Sequence, residues 1–201
     1  MRLCAALVVC ASLASSARAL PAAQAVARRY AEAIVTVARA DAKGESQGFF
    51  VSSSGVACTV LVGASVGDAV TITGEQGAQA GAVVVVDPDG LALVALSAQP
   101  ATPITALDVA RVARAGADAW LVGLAREKAG VAGVVGGRDG DGIALVPVPR
   151  GAPLLSTESG VDSVVAVALR GKGGGRVQIV EAARVLALAK RLARADDGSK
   201  G

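Results

Sequence analysis

Short apolar runs, separated by turns rich in Gly, Asp and Ser, recur along most of this chain. Residues 20–31 are an Ala-rich lead-in that suits either a short helix or an extended segment. Ala33-Ile-Val-Thr-Val-Ala-Arg39 reads as a first strand. Gln47-Gly-Phe-Phe-Val-Ser-Ser53 and Val56-Ala-Cys-Thr-Val-Leu-Val62 meet through Ser54-Gly55, a tight Gly-containing link that predicts a hairpin. Ala69-Val-Thr-Ile-Thr73 is the next strand, and residues 81–86 and 91–97 flank the turn Asp87-Pro-Asp-Gly90. Residues 99–109, with Pro100 and Pro103, read as a link between two halves. Beyond it, residues 115–123, 131–136, 143–148, 162–169 and 176–180 are strand-like, and Trp120 reads as a packed core residue. Gly173-Gly-Gly175 lacks the Gly-Lys-Ser/Thr ending of a phosphate loop and reads as a hairpin tip.

The period changes at residues 181–195. Val185, Leu186, Leu188 and Leu192 gather on one side, with Arg184, Lys190, Arg191 and Arg194 around them, which predicts an amphipathic helix. The basic residues in its last turns suit the helix dipole. Residues 196–201 form a polar tail without a PDZ-like pattern.

Composition sharpens this picture in one respect. The apolar share is 53% but aromatics are only 2%, so the core has to be built from Val, Ala and Leu. Val-rich short runs broken by Gly favour strands. The N-terminus differs from the rest. Arg2 is followed by an apolar stretch over residues 3–13, and Ala17-Arg18-Ala19 is a small-x-small cleavage pattern, so residues 1–19 read as a secretory signal. The stretch is shorter than the ~20 residues of a membrane span. Cys10 lacks the small preceding residues of a lipidated cysteine.

The expected location is therefore secreted or periplasmic, with no membrane span after cleavage. Removing Arg2 and Arg18 from the 20 basic residues leaves 18 against 17 acids, so no basic excess points to nucleic acid. Cys4 and Cys10 would leave with the signal. Cys58 would remain alone in an apolar run, where a buried inert thiol is expected.

Four motifs, taken in order, resemble trypsin-like serine proteases of the HtrA/Deg type. Ser46-Gln-Gly-Phe-Phe-Val51 and Gly55-Val-Ala-Cys-Thr59 resemble the family's Gly-Ser-Gly-Phe-Ile-Ile and the Thr-Asn-x-His segment that follows it. Asp87-Pro-Asp-Gly-Leu-Ala-Leu93 resembles Asp-Pro-x-x-Asp-Leu-Ala-Leu, and Ala115-Gly-Ala-Asp-Ala-Trp-Leu-Val-Gly123 resembles the opening of the family's second half. Ala144-Leu-Val-Pro-Val-Pro-Arg-Gly-Ala-Pro-Leu-Leu155 resembles the nucleophile loop, Ala-Ile-Asn-Pro-Gly-Asn-Ser-Gly-Gly-Pro-Leu-Leu. The resemblance covers residues 33–192. It implies an all-β fold of two six-stranded antiparallel barrels, about 33–98 and 115–180, closed by the C-terminal helix within a domain spanning 20–195.

The same alignment puts Val62, Gly90 and Arg150 where the family has its His, Asp and Ser. Asp89 stands one residue early, which turns a side chain elsewhere, and reads as a solvated turn residue. Val148 takes the place of the oxyanion-hole glycine. It precedes Pro149 and is β-branched, both of which disfavour the required backbone angles. Losing one such donor costs on the order of 3 kcal/mol of transition-state stabilisation.

A further exclusion needs no alignment. The chain contains no histidine, so a Ser-His or Cys-His pair and any histidine-built metal site are chemically excluded. The one residual hydrolytic route is a Ser-Lys dyad at Ser156, with Lys43, Lys128, Lys172, Lys190 and Lys200 all assigned to loops, helix or tail.

The leading expectation is an inactive homologue that binds a peptide or protein, with no cofactor and no metal. The resemblance implies that a peptide would add as a strand beside Val164, Val165, Ala166, Val167 and Ala168, with Arg150 attracting an acidic group. A structural or regulatory subunit of an envelope complex is the alternative, and residual serine-type activity the second.

Overall fold

The computed structural model describes residues 25–26, 28–41, 44–110, 120–127, 130–137, 149–156, 163–172 and 176–198. The signal segment 1–19, loop residues 144–148 with Val148, the Gly173–Gly175 tip and the end of the tail lie outside the described residues, as does the Trp120 side chain.

The first half is a closed barrel. Its strands are β1 (Ile34–Arg39), β2 (Glu45–Phe50), β3 (Val56–Val60), β4 (Ala69–Gly74), β5 (Gly77–Val86) and β6 (Leu91–Leu96). The order around the barrel is β1-β2-β3-β6-β5-β4, all antiparallel, and β1 pairs with β4 to close the ring. The hairpin expected at Ser54-Gly55 forms: Val51 N–H donates to Val56 O at 2.9 Å, and Gly55 has φ +91° against Leu96.

The second half is β7 (Trp120–Glu127), β8 (Gly130–Gly137), β9 (Pro153–Ser156), β10 (Ser163–Lys172) and β11 (Arg176–Glu181). These form a five-stranded sheet in the order β11-β10-β9-β7-β8, and the described residues contain one closed barrel rather than the two expected. A long helix, α1, runs Ala182–Gly198. Among the described residues no helix is long and apolar enough to cross a membrane.

The continuous apolar run of β6 has a simple cause. Ala92 and Val94 face the barrel interior with Val35, Val37, Val70, Ile72 and Val83. Leu91 and Leu93 face outward into a second core. Both faces are buried, so alternation disappears, as it does in any strand covered on both sides. β4 shows the opposite case: Val70 and Ile72 are buried while Ala69 and Thr71 are exposed. In β5, Val83 belongs to the barrel interior and Val85 to the outer core, although they are two residues apart. The register shift between them is the reason, because one extra residue reverses which face a side chain takes.

The outer core joins the halves. Ile34, Phe49, Cys58, Val60, Leu91 and Leu93 from the barrel pack with Leu155, Val164, Val167 and Val180 of the second sheet, and with Val185 and Leu188 of α1. The resemblance implies that α1 packs on the second half; it lies against β10 and β11 and also reaches β5 and β6 of the first barrel.

Candidate functional site

Two loops and a strand start meet where the halves face each other. Val62 follows the end of β3, and Arg150 sits in the turn before β9. Together with Arg39, Gly44, Glu45, Ser46, Val60 and Leu61 they line a groove of about 190 Å³. Gly90 lies directly behind Val62: Leu61 N–H donates to Gly90 O at 2.7 Å, and a Cβ on Gly90 would stand 3.1 Å from Val62 Cα. The three positions that the sequence singles out are thus neighbours in space. Val148 falls outside the described residues.

The turn carrying Arg150 is fixed through its backbone. Gln47 N–H donates to Arg150 O at 2.8 Å, Gly151 N–H to Ala168 O at 2.7 Å, and Ala152 N–H to Pro149 O at 3.2 Å. Gly151 has φ +82° and its Cα faces the Gln47 backbone so closely that any Cβ would overlap Gln47 O. Gln47 O in turn accepts the Thr59 hydroxyl at 2.6 Å, and the Gln47 side-chain amide donates to Val35 O at 2.9 Å. Gln47 and Thr59 are buried polar residues whose hydrogen bonds tie β1, β2 and β3 to the turn. The sequence gives no signal for this tie beyond the glycine.

Charge in the groove is mixed. Arg150 is exposed and has no carboxylate partner among the described residues. Arg39 is committed elsewhere: its Nε donates to Asp41 Oδ1 at 2.9 Å, Asp68 lies 3.7 Å away, and Nη1 reaches Val62 O at 3.4 Å. The hydrogen bond from Arg39 holds the Asp41 carboxyl below its ordinary range, against a smaller opposing effect of desolvation. Glu45 is the one acid among the described residues that line the groove.

The chemistry available is limited. Ser46 supplies the groove's only hydroxyl among the described residues, and it is buried and donates to Val60 O at 2.6 Å. The chain has no histidine, and no lysine is among the described residues that line the groove to take its proton. Ser156 ends β9 opposite Ser163, about 10 Å along the strand from Pro153 at the usual rise per residue.

Asp89 is 58% exposed and pairs with Arg184 Nη1 of α1 at 2.8 Å, on the helix side. Cys58 is fully buried, and burial, aided by the nearby Asp87 charge, pushes its thiol far up. Among the described residues no group of three or more acids and cysteines stands close enough to hold a metal.

The segment expected to receive a peptide strand is not open. Ala166, Val167 and Ala168 pair with Glu181, Val180 and Ile179 of β11 on one side. On the other, Val164, Ala166 and Val167 pair with Leu155, Leu154 and Pro153 of β9. Val164 is also bridged in parallel by Val109: its N–H donates to Asp108 O and its carbonyl accepts from Ala110, both at 2.8 Å. The side chains of Val164, Val165, Ala166, Val167 and Ala168 are all buried. The resemblance located the strand but not its neighbours. Further along, Arg170, Gly171 and Lys172 pair with β11 alone among the described residues.

No protein-family model matches this sequence. No curated protein matches it either. Among solved structures, the chain is similar to a crystal structure of the Rv3671c protease in its inactive form. The identity is 18%, the match covers 84% of this chain and 93% of that one, and the TM-score is 0.64. At that identity the likeness shows the fold, a trypsin-like protease fold with a closed β-barrel and a C-terminal helix.

Proposed function

We propose that this chain is a catalytically inactive, exported member of the trypsin-fold proteins that binds a peptide or protein segment in the groove around Arg150. In this reading the five-stranded sheet corresponds to the second barrel of the fold. The observation that carries the proposal is the occupancy of the groove. Val62 and Arg150 line one groove with Gly90 behind Val62. These are the positions to which the resemblance assigns a base, a nucleophile and an acid, and the chain has no histidine to replace them.

What remains favours binding. Arg150 offers an exposed guanidinium that matches a carboxylate bidentately. Val62 is 67% exposed and lines the same groove, supplying apolar contact beside it. The backbone of β10 past Ala168 gives a strand edge on the same side as the Arg150 turn. The preferred ligand is an extended peptide ending in, or carrying, a carboxylate.

The test is a panel of peptides with free and amidated C-termini, read by fluorescence anisotropy. Free-acid or acidic peptides bind, and Arg150→Glu weakens them by roughly tenfold or more, the worth of a charge-assisted hydrogen bond. Affinity unchanged by Arg150→Glu would remove the groove from the account.

A further inference from the structure

A second cavity opens at the other end of the first barrel. The groove described above lies where β1 and β3 end and β2 begins. The second cavity lies where β2, β4 and β6 end, at Phe50, Gly74 and Leu96, beside the β4–β5 turn and residues 103–105 of the link. It has a volume of about 80 Å³.

Its construction is asymmetric. Phe50, Ile72 and Ile104 form an apolar floor and are 6%, 2% and 9% exposed. The rim carries two carboxylates, Glu32 before β1 and Glu75 in the β4–β5 turn. No lysine or arginine is among the lining residues described. Glu32 is held in place by the Thr105 hydroxyl, which donates to Oε2 at 2.9 Å and leaves Oε1 without a partner among the described residues. Neither acid is in an ion pair among the described residues.

We infer that this cavity receives a single basic side chain, lysine or arginine, from a partner polypeptide. The reasoning is one of complementary parts. A basic side chain is an apolar stem with a cation at its tip. Laid across the cavity, such a side chain puts its stem against Phe50, Ile72 and Ile104 and its cation beside Glu32 and Glu75. An acidic or purely apolar occupant would leave the two carboxylates repelled or unmatched. The site is independent of Arg150, lies at the opposite barrel end and has the opposite charge preference.

The test uses the purified full chain, labelled with ¹⁵N and titrated with N-acetyl-lysine-N-methylamide and the arginine equivalent. The norleucine and glutamate equivalents serve as controls. Saturable amide shifts at residues 74–79 and 103–105 are expected with the two basic probes only. Glu32→Gln and Glu75→Gln together weaken that binding by roughly tenfold, with the spectrum elsewhere unchanged because both side chains are exposed. Absence of saturable shifts, equal shifts from norleucine, or binding that survives both substitutions would overturn the inference. None of these outcomes bears on binding at Arg150, which is read in the peptide assay.

Discussion

At Gly90 the backbone has φ +85°, and an added Cβ would meet Leu61 O at 3.0 Å and Val62 Cα at 3.1 Å. Replacing the glycine with the acid that the fold's chemistry would require is therefore strained before any chemistry is attempted. Gly90→Asp is expected to destabilise by about 1–3 kcal/mol, measured by urea unfolding. The combination Val62→His, Gly90→Asp, Arg150→Ser is expected to leave casein uncleaved, and turnover by it would show that strain at this turn is not limiting.

Asp41 gives a pH dependence. Its folded pKa lies below the unfolded one because of the Arg39 hydrogen bond. The stabilisation is thus complete above the unfolded value of about 4 and disappears as pH falls through the lower, folded value. Asp41→Asn should lower stability slightly at neutral pH, since Asp41 is exposed, and progressively less as pH falls below about 4, so that the acid limb flattens. Denaturation midpoints across that range check this. At this scale the sequence was informative where a motif fixes spacing, as at Val62, Gly90 and Arg150. It was silent on Glu45, Asp41 and Asp68, whose roles depend on which strands come together.

Helix α1 shows what a pattern contains and what it lacks. Its amphipathic period is evident from Val185 and Leu188, both of which are buried. Its docking partner is not, because an apolar stripe does not specify which surface covers it. The deciding contact is polar. Asp87, at the β5–β6 turn, is 8% exposed; its Oδ1 accepts the amides of Asp89 and Leu91 at 2.9 and 3.0 Å, and its Oδ2 accepts Arg184. Asp87 was read as part of a motif and acts as a turn cap that anchors the helix.

Asp87→Ala removes the acceptor of two turn amides together with the partner of Arg184 and should cost about 1–3 kcal/mol. Arg184→Ala removes a guanidinium that is 41% exposed and should cost no more than about 1 kcal/mol. Thermal unfolding of both variants and of the double variant would show the coupling. Equal effects from the two single changes would contradict this division. The misplaced peptide edge at Val164, Val165, Ala166, Val167 and Ala168 has a similar origin. Strand character is local, but the strands on either side, including the bridge from Val109 in the link, are not.

Across the whole molecule, one apolar cluster contains residues of the barrel, the second sheet and α1. The halves are therefore not independent folding units, although the Pro-containing stretch between them reads as a link between two halves. Leu155 of β9 is fully buried in that cluster. Leu155→Ala should lower stability by about 2–5 kcal/mol in a single transition that also unfolds the first barrel. Near-ultraviolet circular dichroism and hydrogen exchange of β1 amides would follow it, and two separated transitions would contradict it. The count of strands was legible in the first half because turns punctuate every apolar run there. Ring closure was legible only through the family resemblance, since the pattern alone does not say that β1 finds β4 across the intervening chain.

That ring has a corollary for processing near the N-terminus. β1 is the staple between β2 and β4, so every strand of the first half has its hydrogen-bonding groups satisfied on both flanks. Trimming the chain past Arg39 would unzip two seams at once and bare the flanks of β2 and β4, the kind of unprotected template on which cross-β assembly starts. A leader clipped before Ile34 leaves the ring whole; a cut a few residues later converts a self-contained cylinder into an adhesive one.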